Sequence, residues 1–214
     1  TGSHILSAAT TLVAGVDDAG VRCYDFGFLT GTSMASPHVA GLLALLKQAR
    51  PTWSPSALRS ALMTTARHHD LTVQITPRTL ANPLERGSGM PTSRIFAPGL
   101  VYDMTPEAYE AVYCAFDPEE LGRSFCNTVD DTILPVDSAD LNYPSIAVSD
   151  LSGAGRTIER TVTNVQDETL AFRAVLEASP KFDVTVTPCE FVLSPGESLT
   201  FSVELVSTSQ AVAN

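Results

Sequence analysis

A serine stands at position 33 in the stretch LTGTSMASPHVAG, residues 29–41, between Thr32 and Met34 and just ahead of an apolar run. A serine hydroxyl becomes a useful nucleophile only in a particular setting. It needs exposure on a rigid element, a base to take its proton, and donors for the oxyanion that forms when it attacks a carbonyl. GTSMASPH provides the first and part of the third. Gly31 permits a close backbone approach. Ser33 then falls at or beside a helix N-terminus, where free backbone N–H groups and the positive end of the helix dipole face developing negative charge. Pro37 is expected in the first turn, where its missing N–H costs little. The base is harder to find. His38 lies five residues on, which is about 140° around a helix, so its side chain diverges from that of Ser33.

The elements that would hold this serine can be read from periodicity. A helix is expected from about Met34 to Gln48, and Val39, Ala40, Leu42, Leu43, Leu45 and Leu46 leave it almost no polar face, so it should be buried all round. A second helix begins at SPSALRSALMTTA, with Ser54 as N-cap and Pro55 in the first turn, and Leu58, Ala61, Leu62 and Thr65 form its inward stripe. Arg67, His68 and His69 fall near its C-terminus, where cations are favoured. Residues 5–30 read as short strands and turns, with VDDAG as a hairpin tip carrying Asp17 and Asp18. Residues 70–104 are loop-rich, and a third helix runs from about Pro106 to Ala115 with Thr105 as its cap. From about 141 the texture becomes β: YPSIAV, RTIERTVTNV, LAFRAVLE, FDVTVTP and SLTFSVELV are short alternating runs, with LSPGES a turn between two strands. Such strands argue for a small β-sandwich, with the domain boundary near 130–140.

Composition narrows the chemistry further. The net charge of −11, from 24 acidic against 13 basic residues, is the wrong sign for a phosphate-binding surface and argues against nucleic acid. The apolar run VAGLLALL is far too short for a membrane span. The four cysteines, Cys23, Cys114, Cys126 and Cys189, show no zinc-like spacing. Asp25 and the charged loops DPEE and VDD read as solvated surface, and no metal or organic cofactor is expected. The chain opens at Thr1 without a leader and closes on STSQAVAN, so both ends are read as cut from something longer.

GTSMASPHVAG resembles the serine motif of the subtilisin-like serine peptidases, the subtilases. RPTWSPSALRSALMTTA is similar to the helix that follows it in the plant-type subgroup. APGLVYD (97–103) and DLNYPSI (140–146) resemble that subgroup's junction, and RTVTNV (160–165) resembles its fibronectin type III-like domain. The resemblance implies an α/β fold for a partial subtilisin-like catalytic domain at 1–104, a helical junction at 105–136 and an incomplete all-β sandwich at 137–214. It implies a serine endopeptidase in which Ser33 is the nucleophile and its backbone N–H an oxyanion donor. Thr32 assists at the oxyanion site, and Met34 lies behind the nucleophile and is prone to sulfoxidation. HILSAAT resembles the strand before the motif. Protein or peptide substrates, a secreted location and a Cys114–Cys126 disulfide also follow from the resemblance, because such enzymes work in oxidising surroundings.

The family's order is Asp, His, oxyanion Asn and then Ser, and none of the first three, nor a protease-associated insert, is expected in this chain. His4 reads as surface, His68 and His69 as helix-end partners, and Tyr143 and Pro144 as structural. Residues 1–214 alone are therefore expected to lack activity, to show an apolar patch around Leu42, Leu45 and Leu46, and to carry a sandwich with an open edge. The rival from another class is a non-catalytic β-sandwich interaction module or truncated pseudo-enzyme. Upstream coding sequence carrying the Asp and His motifs would distinguish the two.

Overall fold

A pair of antiparallel strands leads into the longest helix among the described residues. In the computed structural model, which describes residues 2–8, 26–73, 79–116, 137–148, 151 and 155–208, β1 (Gly2–Ala8) pairs with β2 (Phe26–Gly31). β2 runs straight into α1 (Thr32–Ala49). The start of β1 lies tightly on this helix: a Cβ added at Gly2 would stand 2.8 Å from Met34 Cβ, so only glycine fits there. VDDAG, Asp17, Asp18, Asp25 and Cys23 lie outside the described residues. Residues Thr1–Pro51 form one unit and Thr52–Asn214 another.

The expected all-round burial of the first helix is not realised. Of α1's residues only Leu46 is buried, Leu42 and Leu43 are half-buried, and Leu45 is 54% exposed. A hairpin of two strands is too narrow to cover a helix that is apolar on every side. The expected patch thus contains Leu45 but not Leu46. The hairpin adds to it, since Leu6 pairs across the strands with Phe28 and both are exposed.

In the second unit α2 (Pro55–Thr64) starts as its sequence dictates. Ser54 accepts from the Ala57 N–H at 3.0 Å, and Leu58, Ala61 and Leu62 turn inward. The loop-rich stretch holds short elements: β3 (Thr72–Val73), β4 (Thr79–Leu80), α3 (Pro83–Arg86) and a 3-10 turn at Ser93–Phe96. Next come β5 (Leu100–Val101) and α4 (Pro106–Phe116). Cys114, on α4, is disulfide-bonded; Cys126, its expected partner, lies outside the described residues. Cys189 is an exposed free thiol.

The strand-rich part contains β6 (Arg156–Asn164), β7 (Leu170–Arg173), β8 (Phe182–Thr187), β9 (Glu190–Leu193) and β10 (Ser198–Ser207). One sheet has the order β5-β6-β10-β8, and β7 pairs with β9 in a second. Ile158, Val162, Leu193 and Val203 form the buried centre. Asn164, fully buried, donates to the carbonyls of Leu193 and Glu168 at 2.9 Å each. LSPGES turns the chain from β9 into β10 with Gly196 at φ 74, a conformation that suits glycine.

Two strand expectations need correction. YPSIAV forms no strand, whereas EFVL (β9) and LV (β5) do. Arg160, 2% exposed, lies on the inward face of β6. Its guanidinium donates to the carbonyls of Tyr143, Glu159 and Ala139 at 2.8 Å and of Ser145 at 3.3 Å. The carbonyls of Ala139, Tyr143 and Ser145 thus face an arginine. Burial lowers the Arg160 pKa, and Tyr102 and Asp140 oppose that shift.

Candidate active site around Ser33

Ser33 is the second residue of α1 and is exposed, as is Thr32 before it. Gly31 caps the helix in extended backbone (φ 162, ψ 171) with no side-chain hydrogen bond to the first turn. The first-turn N–H groups are thus not taken up by a capping side chain. An exposed hydroxyl beside such donors, at the positive end of an 18-residue helix, has the nucleophile's exposure and part of the oxyanion site.

The helix begins two residues earlier than periodicity predicts, which changes the role of Pro37. It lies within the helix, past the first turn, so the carbonyl of Ser33 has no N–H four residues on to accept from. The backbone ladder is broken at the serine itself.

His38 is engaged elsewhere. Its Nδ1 donates to the Met34 carbonyl at 2.6 Å, so the ring is tied to its own helix backbone. His4, at the irregular step in β1 with φ 51, bonds through its ring to Ser3 Oγ and through its N–H to Thr30 Oγ1. The rings of His68 and His69 lie against each other beyond α2, tilted by 45° with centroids 3.8 Å apart. Among the described residues no hydrogen bond links Ser33 to a histidine, and no group of three or more His, Cys, Asp or Glu could hold a metal ion. Among the same residues no helix is long and apolar enough to cross a membrane.

Sequence reasoning passed over Arg59, Tyr109 and Arg160. A signal existed for the last: at period two along β6 it shares a face with Ile158 and Val162, an odd place for a cation. Nothing in the sequence pairs Arg59 with residues 50 and 84 positions away.

Residues 5–92 match the model of the subtilase family, and residues 140–214 match that of the fibronectin type III domain. The chain is 33% identical to subtilisin-like protease SBT3.10 of Arabidopsis thaliana over 95% of its length and 28% of that protease. It is 40% identical to subtilisin-like protease SBT3 of Solanum lycopersicum over 77% of its length and 23% of that protease. It is 34% identical to the CO(2)-response secreted protease of Arabidopsis thaliana over 97% of its length and 29% of that protein. The chain thus spans roughly a quarter of the length of the curated relatives it matches.

Proposed function

Because the chain belongs to the subtilase family of serine peptidases and carries a fibronectin type III domain behind its peptidase segment, we propose that Ser33 is the nucleophile of a serine endopeptidase. The observation that carries this reading is an exposed serine at the open start of α1, within GTSMASPHVAG. In the complete enzyme Ser33 Oγ attacks a peptide carbonyl. The Ser33 N–H, with help from Thr32, receives the oxyanion, and water then hydrolyses the acyl-enzyme. The general base is a histidine from outside these 214 residues, since His38, five residues on from Ser33 in α1, points away from it around the helix. The peptidase segment is proposed to extend to 104, with 105–136 as a junction and 137–214 as the sandwich. Substrates are proteins or peptides. One relative is named a secreted protease, which supports an extracellular location.

Two experiments test this. In a full-length protein containing this chain, Ser33→Ala is expected to abolish peptide hydrolysis while the fold persists. In subtilisin, a member of the same family, losing the serine costs about a millionfold in turnover. Residues 1–214 alone are expected to give no turnover above a Ser33→Ala control. Ser33-dependent hydrolysis by this piece would reveal a base within it, and full activity of Ser33→Ala in the complete enzyme would refute the assignment.

A further inference from the structure

Tyr143 is gripped from two sides by two arginines of different elements. Its carbonyl accepts from Arg160 Nε at 2.8 Å, and Arg160 belongs to β6 of the sandwich. Its ring lies beneath the guanidinium of Arg59, with Cζ 4.2 Å from the centroid, and Arg59 belongs to α2 of the peptidase segment. Tyr109 of α4 completes the cluster. Its ring meets Tyr143 edge-on with centroids 6.4 Å apart, and its hydroxyl accepts from Arg59 Nη2 at 2.5 Å and bonds Ser56 Oγ at 2.8 Å. Burial raises the Tyr143 pKa, the hydrogen bond to Tyr109 adds to the shift, and Arg59 opposes it.

Neighbouring bonds run the same way. Ser60 Oγ of α2 accepts from the Tyr102 N–H at 2.8 Å, next to β5, and β5 is itself a strand of the sandwich sheet. Asn142 Nδ2 donates both to the Asp103 carbonyl at 2.9 Å and to the Thr161 carbonyl at 2.8 Å. A domain tethered for binding needs only a linker, but the Arg59–Tyr143 and Ser60–Tyr102 contacts fasten sandwich to helix by side chains whose geometry is specific.

We propose that the fibronectin type III domain is a built-in brace for helix α2, with Tyr143 as the keystone held by Arg59 through its ring and by Arg160 through its carbonyl. Arg160 is the positioning residue: its planar fork fixes the 139–145 segment and so aims the tyrosine at α2. An ammonium could not reach acceptors in so many directions. The proposal rests on these contacts and holds whatever the role of Ser33.

Hydrogen–deuterium exchange of the whole 214-residue chain tests it, read separately over α2 and over β6 and β10. Tyr143→Leu and Arg59→Ala are expected to speed exchange in α2 by about tenfold while the sheet keeps its protection. Arg59→Lys, which keeps a cation over the ring, is expected to restore most of the loss. Arg160→Lys is expected to loosen α2 as Tyr143→Leu does, although residue 160 lies far from that helix in sequence. Unchanged α2 exchange in Tyr143→Leu and Arg59→Ala overturns the proposal. So does an equal rise over α2 and the sheet, which would mean general destabilisation.

Discussion

The two units differ in how they use their apolar residues. In Thr1–Pro51 the apolar side chains are plentiful and poorly covered: Leu6, Phe26, Phe28 and Leu45 are each more than half exposed. In the sandwich Ile158, Val162 and Leu193 are each almost wholly buried, and the buried polar groups Arg160 and Asn164 are both hydrogen-bonded. Among the described residues, one unit has an apolar helix faced by only two strands, whereas the other encloses a core of its own. Pattern alone thus makes a helix, but only a sufficient number of facing elements buries it.

Substitutions that exchange burial for exposure separate the units most sharply. Ile158→Ala is expected to cost about 2–5 kcal/mol in denaturant unfolding, the range for emptying a fully buried aliphatic site. Ser54→Ala comes next, at about 1 kcal/mol, because it removes the α2 cap and the hydroxyl that donates to Asp103. Leu45→Ser is expected to shift stability by less than about 0.5 kcal/mol while raising the soluble fraction on expression. A loss as large as that of Ile158→Ala would show that Leu45 is covered after all.

A pH effect is the smallest. The Ala139 N–H and then Arg156 hold the Asp137 carboxyl below its ordinary range, with the Arg156 contact at 3.2 Å. A depressed folded-state pKa gives stability that is present above the unfolded value of about 3.9 and is lost as pH falls through the folded one. Carbon-detected titration should therefore place the Asp137 midpoint below about 3.9, and Arg156→Met should raise it. An Asp137 midpoint unmoved by Arg156→Met would leave the bond from the Ala139 N–H as its whole cause.

What could be read from sequence follows physical range. Local signals were legible: the Ser54 cap, the Pro55 start, the Leu58–Leu62 stripe and the alternation of RTIERTVTNV all appear where expected. GTSMASPHVAG identified the family because so many side chains are fixed together around one hydroxyl. Long-range competition was not legible. YPSIAV has strand composition, yet it forms no strand, and the carbonyls of Tyr143 and Ser145 accept from Arg160, a partner distant in sequence. EFVL is only four residues long and gains its place by pairing with β7. The start of α1 was placed two residues late because Pro37 looked like a first-turn proline, whereas the helix tolerates it further in.

Ser33 is the proposed nucleophile, and its reactivity can be read directly. The most direct measurement treats a full-length protein containing this chain with a serine-reactive fluorophosphonate and maps the adduct by peptide mass spectrometry. A stoichiometric adduct is expected on Ser33, none on the other serines, and none in Ser33→Ala. A label placed on another serine, with hydrolysis surviving in Ser33→Ala, would contradict it.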